Sequence, residues 1–310
     1  MNARSDDEKF ERLARTIHPR SKLLRTWVLK GGISAHTTAL EIERSDGRTE
    51  KLIVRRHGDE DLRHNPNIAA DEFKLLQILQ SEGLAAPVPV HFDQSGKVLS
   101  TPFVVVEHIE GETEFAPGNL ADFLALLATQ LLRIHSLDGG RHDLSFLPRQ
   151  SERYAKRLAE RPTTMDESVF EGRIRDTLEA VWPLPRRNRS VLLHGDFWPG
   201  NVLWNDGKLV AVIDWEDAAL GDPLADLANA RLEIVWAFGR DAMDGFTKEY
   251  QSHTTIDFTH LPYWDLCAAL RPRFSEWADD DIAEQAMREA HRSFVRQAFE
   301  ASSASPGNDV

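Results

Sequence analysis

Between Val191 and Glu216 the order of residue types leaves the backbone few choices. Val191-Leu192-Leu193 reads as a short apolar strand running into His194-Gly195-Asp196, and Asn201 stands five positions after Asp196. Asn205-Asp206-Gly207-Lys208 is a strong hairpin signal, because Asn, Asp and Gly accept the positive φ that a tight turn demands. Residues 209–213 return as a strand and deliver Asp214 eighteen residues after Asp196. The hairpin folds the chain back, so the carboxylate of Asp214 can converge with the amide of Asn201. An Asp and an Asn in one loop can be plain turn formers. A third polar residue arriving at a strand end gives their spacing a chemical meaning.

The rest of the chain changes texture once. Residues 27–30, 37–43 and 51–55 read as strands, with Gly31-Gly32 and Ser45-Asp46-Gly47-Arg48 as turns. Phe73, Leu75, Leu76, Ile78 and Leu79 have helical spacing, and Gly83 is placed to stop that helix. Pro87 and Pro89 lead into a predicted hairpin of 91–93 and 98–99, and 103–106 fits a buried strand. Beyond Gly111, residues 120–135, 152–158, 174–181 and about 281–301 are spaced as helices. The predicted fold class is α+β, with a small sheet-rich lobe over 1–108 and a larger, mostly helical lobe over 109–310. The hinge falls near 107–111, and a cleft between two such lobes is a natural place for a ligand.

Composition mainly excludes. A net charge of −13 over 310 residues argues against a nucleic-acid or anionic-membrane partner, both of which would repel it. Cys267 is the only cysteine, so neither an intrachain disulfide nor a cysteine-based zinc cluster can form. The first residues are polar, unlike a secretory signal, and the apolar runs are far shorter than the roughly 20 residues of a membrane span. A soluble, cytoplasmic chain is the expectation.

Phosphoryl transfer asks a protein for metal ligands, a carboxylate that orients the attacking hydroxyl, and a cation on the phosphate oxygens. In kinases the base Asp and a metal-binding Asn share one loop in D-x-x-x-x-N spacing, and a second metal-binding Asp follows. Three segments here carry that pattern: His194-Gly195-Asp196 to Asn201-Val202-Leu203, Val212-Ile213-Asp214-Trp215-Glu216, and Gly221-Asp222-Pro223 to Asp226-Leu227-Ala228. In them the sequence resembles the aminoglycoside phosphotransferase and choline kinase-like family, which has a protein-kinase-like fold. The resemblance implies ATP (GTP is open), Mg2+, Asp196 as catalytic base, and Asn201 with Asp214 as metal ligands. It also implies that Asp222 and Asp226 tie the loop after Asp214 to a helix, with Asp222 the favoured N-cap. His194 is read as a support of the loop rather than a reacting group.

For the nucleotide, Gly31, Gly32 and Ser34 lie between two strands, where backbone N–H groups could cover phosphates. Alternation puts Arg55 on one face with Ile53, and Glu72 is its obvious partner. Arginine departs from the usual lysine, so Arg56 and Lys51 stay open as the cation. Val106 to His108 is the stretch that should meet adenine, although 103–106 is equally explained as sheet core. The resemblance implies a small molecule with a hydroxyl as the acceptor. Asp265, Glu276, Asp279, Asp280 and Asp281 would suit an amine, and Trp215, Trp236, Trp264 and Trp277 a cationic head group. Arg231, Arg271 and Arg273 point instead to an anion, while solvated helix ends and plain core explain many of the same residues. A non-catalytic nucleotide-binding regulatory module on the same fold is the rival reading, and a metal-dependent hydrolase using His194 and Asp196 as ligands is a weaker one.

Overall fold

The computed structural model describes residues 3–29, 36–137, 139–270 and 282–304. Gly31, Gly32, Ser34, Arg271, Arg273, Trp277 and the acidic residues of 276–281 lie outside the described residues. In chain order the elements are α1 (Ala3–Ile17), β1 (Lys22–Val28), β2 (His36–Glu43), β3 (Thr49–Arg56), α2 (Asp59–His64), α3 (Ile68–Ser81), β4 (Pro89–Asp93) and β5 (Phe103–Glu107). There follow α4 (Leu120–His135), α5 (Gln150–Ala159), α6 (Glu171–Glu179), β6 (Val191–Leu193), β7 (Val202–Asn205), β8 (Lys208–Val212) and β9 (Ala219–Gly221). The chain then continues through α7 (Pro223–Phe238), α8 (Arg240–Ser252), α9 (Leu261–Ala269) and α10 (Ile282–Ala304). They fall into two compact units: Met1–Glu112 with Leu203–Glu216, and Thr113–Val202 with Asp217–Val310.

The first unit is built on a five-stranded antiparallel sheet in the order β1-β2-β3-β5-β4. Period-two alternation sorts its residues by face. Leu52 and Val54 of β3 are fully buried with Leu40, Ile42, Phe103 and Val105. Onto that face α1 lays Phe10, Leu13, Ala14 and Ile17, whose spacing of three and four residues forms one apolar stripe. This helix is not among the sequence expectations. Ile53 and Arg55 point to the opposite face, level with Val106 and Val104 of β5, and α3 packs beside them. The predicted hairpin of 91–93 with 98–99 does not form: β4 pairs with β5 instead. The Asp93 carboxylate accepts the Ser95 N–H at 2.7 Å and bends the chain away. Leu99, the expected return strand, is buried in the α1 core. Asp206 and Gly207 both have positive φ (50° and 72°), as a two-residue hairpin turn between β7 and β8 requires.

The second unit is mostly helical, with α7 packed against α8, α9 and α10 and α4 against α8. Asp222 caps α7 by accepting the Leu224 N–H at 3.0 Å, and Pro223 occupies the first turn. Arg231 and Asp265, offered by the sequence to opposite kinds of substrate, are buried and bound to each other. Nε and Nη2 each donate to one carboxylate oxygen at 3.0 Å. Trp264 is buried against Tyr154 and Trp182, and Trp236 stacks on His291. Trp215, in the first unit, is 2% exposed. Trp215 and Trp264 are therefore core residues. No described helix is long and apolar enough to cross a membrane.

Because Leu13 has no exposed surface and joins α1 to the sheet, Leu13→Ala should cost about 2–5 kcal/mol. Urea unfolding followed by circular dichroism measures it.

Candidate functional site

In the first unit one guanidinium gathers three carboxylates. Arg55 leaves β3 on the face away from α1. Its Nη1 donates to Glu72 of α3, and its Nη2 donates to Asp214 and, at 2.9 Å, to Glu216. The Arg55 side chain is 12% exposed and that of Glu72 2%, so most of this charge is shielded from water. Burial by itself would discharge Arg55, yet the fields of Glu72, Asp214 and Glu216 outweigh it and hold the group firmly protonated. For Glu72 burial pushes the carboxyl pKa up, and Arg55 with the His57 ring pulls it to a net value below the usual range. Asp214 has φ +71°, a left-handed conformation that Asp tolerates better than most residues. Its carboxylate keeps 31% of its side-chain surface open. Trp215 anchors this turn, its indole N–H donating to Val212 O at 2.9 Å.

Of the other residues expected near a nucleotide, Val106 is buried in β5 opposite Ile53. His108 donates its backbone N–H to Lys51 O at 3.1 Å, and Glu107 donates to Val88 O at 2.9 Å. Lys51, a rival for the cation's place, is ion-paired with Glu110 at 2.6 Å. Glu216 and His57 were given no role by the sequence. The signal for Glu216 was its place two residues after Asp214 in the same motif. For His57 the sequence holds no signal, because its contact with Glu72 spans a strand end and a helix.

In the second unit the 194–201 loop hangs from β6 and is fastened from behind. Asp226 of α7, 1% exposed, accepts the backbone N–H groups of His194 (2.6 Å) and Gly195 (2.9 Å). His135 stands 3.3 Å from the same carboxylate and 2.7 Å from the Tyr250 hydroxyl. Burial raises the pKa of Asp226, but the His135 contact and these N–H donors bring it below the ordinary carboxylate value. The implied tie from Asp226 thus goes to the loop before Asp196 rather than to the segment after Asp214. His194 is fully buried, and its Nδ1 accepts the Asp196 N–H at 3.2 Å, a supporting role. Gly195 has φ +84°, and a Cβ there would lie 2.1 Å from Asp217 O, so only glycine fits. Asn201 donates Nδ2 to Asp196 O at 2.9 Å and to Asp196 Oδ2 at 3.0 Å. That fixes the amide's orientation and leaves Oδ1 as its acceptor end. The structure therefore groups Arg55, Glu72 and Asp214 in one unit, and Asp196 with Asn201 in the other.

Glu72 is more acidic folded than unfolded, so its contribution to stability is fully present above the unfolded carboxylate pKa and is lost as pH falls through the lower folded value. Arg55→Met removes the cause and strands buried charge, so it should cost about 3–5 kcal/mol at neutral pH. Below pH ~4 the loss should shrink, because protonation relieves the stranded carboxylates. Urea unfolding of both proteins from pH 3 to 7 tests this.

A description of the phosphotransferase enzyme family matches residues 28–296. Acyl-CoA dehydrogenase family member 10 of Mus musculus is 26% identical over 214 residues, 63% of this chain but only 20% of that protein's own length. The aminoglycoside 3'-phosphotransferase of Escherichia coli is 27% identical over 218 residues, 61% of this chain and 74% of that protein. The crystal structure of a spectinomycin phosphotransferase with ADP and spectinomycin has a TM-score of 0.59 at 16% identity, covering 96% of this chain and 98% of that one. That likeness concerns the fold, which is kinase-like and combines a small antiparallel sheet with a helical C-terminal region. With its family match running over most of its length, this chain belongs to the phosphotransferase enzyme family.

Proposed function

We propose that the chain transfers the γ-phosphoryl group of ATP, with Mg2+, to a hydroxyl of a small molecule. The observation that carries this reading is the Arg55–Glu72 ion pair between the third strand and the helix that follows. It is the strand–helix pair that kinase chemistry uses to hold a cation against phosphate oxygens. Arginine in that place has a fork of donors, so Arg55 can meet two phosphate oxygens at once. Its Nη2, which donates to Asp214 and Glu216, is the end that would turn to phosphate.

Asp196 is the proposed base. The Asn201 amide holds its Oδ2, so the carboxylate is aimed before an acceptor arrives and can take the hydroxyl proton late in the transfer. Asn201 Oδ1 and the Asp214 carboxylate are hard oxygen donors of the kind Mg2+ prefers, and we assign them to hold it. Held there, Mg2+ would supply screening of phosphate charge. Gly31, Gly32 and Ser34 stay assigned to the phosphates, and Val106 with His108 to the base of the nucleotide. Nucleotide binding draws support from the ADP-bound spectinomycin enzyme of the same fold. The cytoplasm, which supplies ATP and Mg2+, is the compartment this reading implies.

Incubation with labelled ATP or GTP, Mg2+ and a panel of aminoglycosides, amino alcohols, sugars and other hydroxylated small molecules tests the proposal. One acceptor class should take up label. Asp196→Asn should lower kcat by about 10²–10⁴-fold with nucleotide affinity nearly unchanged. Undiminished turnover in Asp196→Asn would refute the base assignment. Nucleotide binding without transfer to any acceptor would instead mark a regulatory module.

A further inference from the structure

We propose that His57, Asp61 and Glu216 form a second cation site, outside the Asn201–Asp214 set, that takes a transition-series divalent ion, zinc above all. One potential ligand atom from each residue lies within 4.8 Å of the other two, a spread that small side-chain shifts would close onto one ion. The donor set of one imidazole nitrogen and two carboxylate oxygens suits zinc with three protein ligands and an open fourth position. Magnesium, which avoids imidazole, would be the poorer occupant.

The second observation is the imidazole itself. His57 is 1% exposed, and its Nδ1 has no hydrogen-bond partner among the described residues. A buried polar ring in that state costs free energy that a metal–nitrogen bond would recover. Its Nε2 lies 3.2 Å from Glu72 Oε2, which places a carboxylate beside a ligating histidine, as outer-shell partners commonly are. The carboxylates are held in advance: Asp61 Oδ2 accepts the Gly58 N–H at 2.9 Å, and Glu216 Oε2 accepts from Arg55 at 2.9 Å. The charge also fits. Arg55 contacts Glu72, Asp214 and Glu216, and a divalent ion on Glu216 would add positive charge beside these carboxylates. It would also weaken the hold of Glu216 on Arg55 Nη2, the end assigned above to phosphate.

The test uses the full chain, stripped of metal and free of nucleotide. Equilibrium dialysis against zinc should give one tightly bound ion, and Asp61→Asn, partly exposed and still able to accept the Gly58 N–H, should weaken it at least about tenfold. The wild-type chain loaded with Mn2+ should show ¹⁴N imidazole coupling in its electron spin-echo modulation. Asn201 and Asp214 cannot produce that coupling. No bound zinc, equal affinity in Asp61→Asn, or bound Mn2+ without the nitrogen signal would each overturn the site. None of these outcomes depends on phosphoryl transfer, so the site and the proposed activity fail separately.

Discussion

Arg55 is the residue on which the first unit's polar architecture depends. Its guanidinium joins the third strand, the following helix and the segment after the 203–212 hairpin, contacts that span 17 residues to Glu72 and 159 to Asp214. Such a cluster is expensive to assemble, since each ion loses water on burial, and it persists only when every charge is met. The hydrophobic face of the sheet makes it possible. With Leu52 and Val54 locked against α1, alternation forces Arg55 to the other side, where α3 presents Glu72. Packing thus sets the position of a buried charge, and the charge in turn holds Asp214.

The second unit follows the same logic with a different device. Here the buried anion is Asp226, and its partners are two backbone N–H groups and a histidine rather than an arginine. Backbone donors cannot swing away as side chains do, so the 194–195 peptide is pinned where the loop begins. His194, Gly195 and Asn201 then pass that rigidity to Asp196 through short contacts. A carboxylate aimed this way would lose little entropy on meeting a hydrogen-bonding partner.

Much of this was legible in the sequence because it rests on local periodicity and turn chemistry. The 120–135 helix shows in its spacing, the 205–208 turn in its Asp-Gly, and the Asp222 cap in the Pro that follows it. Strand alternation and the strand–helix pairing expected of a kinase-like fold pointed to Arg55 with Glu72 while leaving Arg56 and Lys51 open, and the structure pairs Arg55 with Glu72. The misreadings came where a residue's partner lies far along the chain. Arg231 and Asp265 each looked like substrate contacts until folding paired them across 34 residues. The second arm of the 91–99 hairpin lost to packing: Leu99 gains more by joining the α1 core than by extending a two-stranded ribbon.

The sequence alone therefore determined the family, the α+β class and the order Asp196, Asn201, Asp214, because motif spacing and periodicity are properties of contiguous residues. Only the tertiary structure decided which charges are spent on each other, that Asp226 holds the loop before Asp196, and that His57, Asp61 and Glu216 stand together. Those outcomes depend on distance and burial, which a one-dimensional string does not contain until the hydrophobic faces have closed.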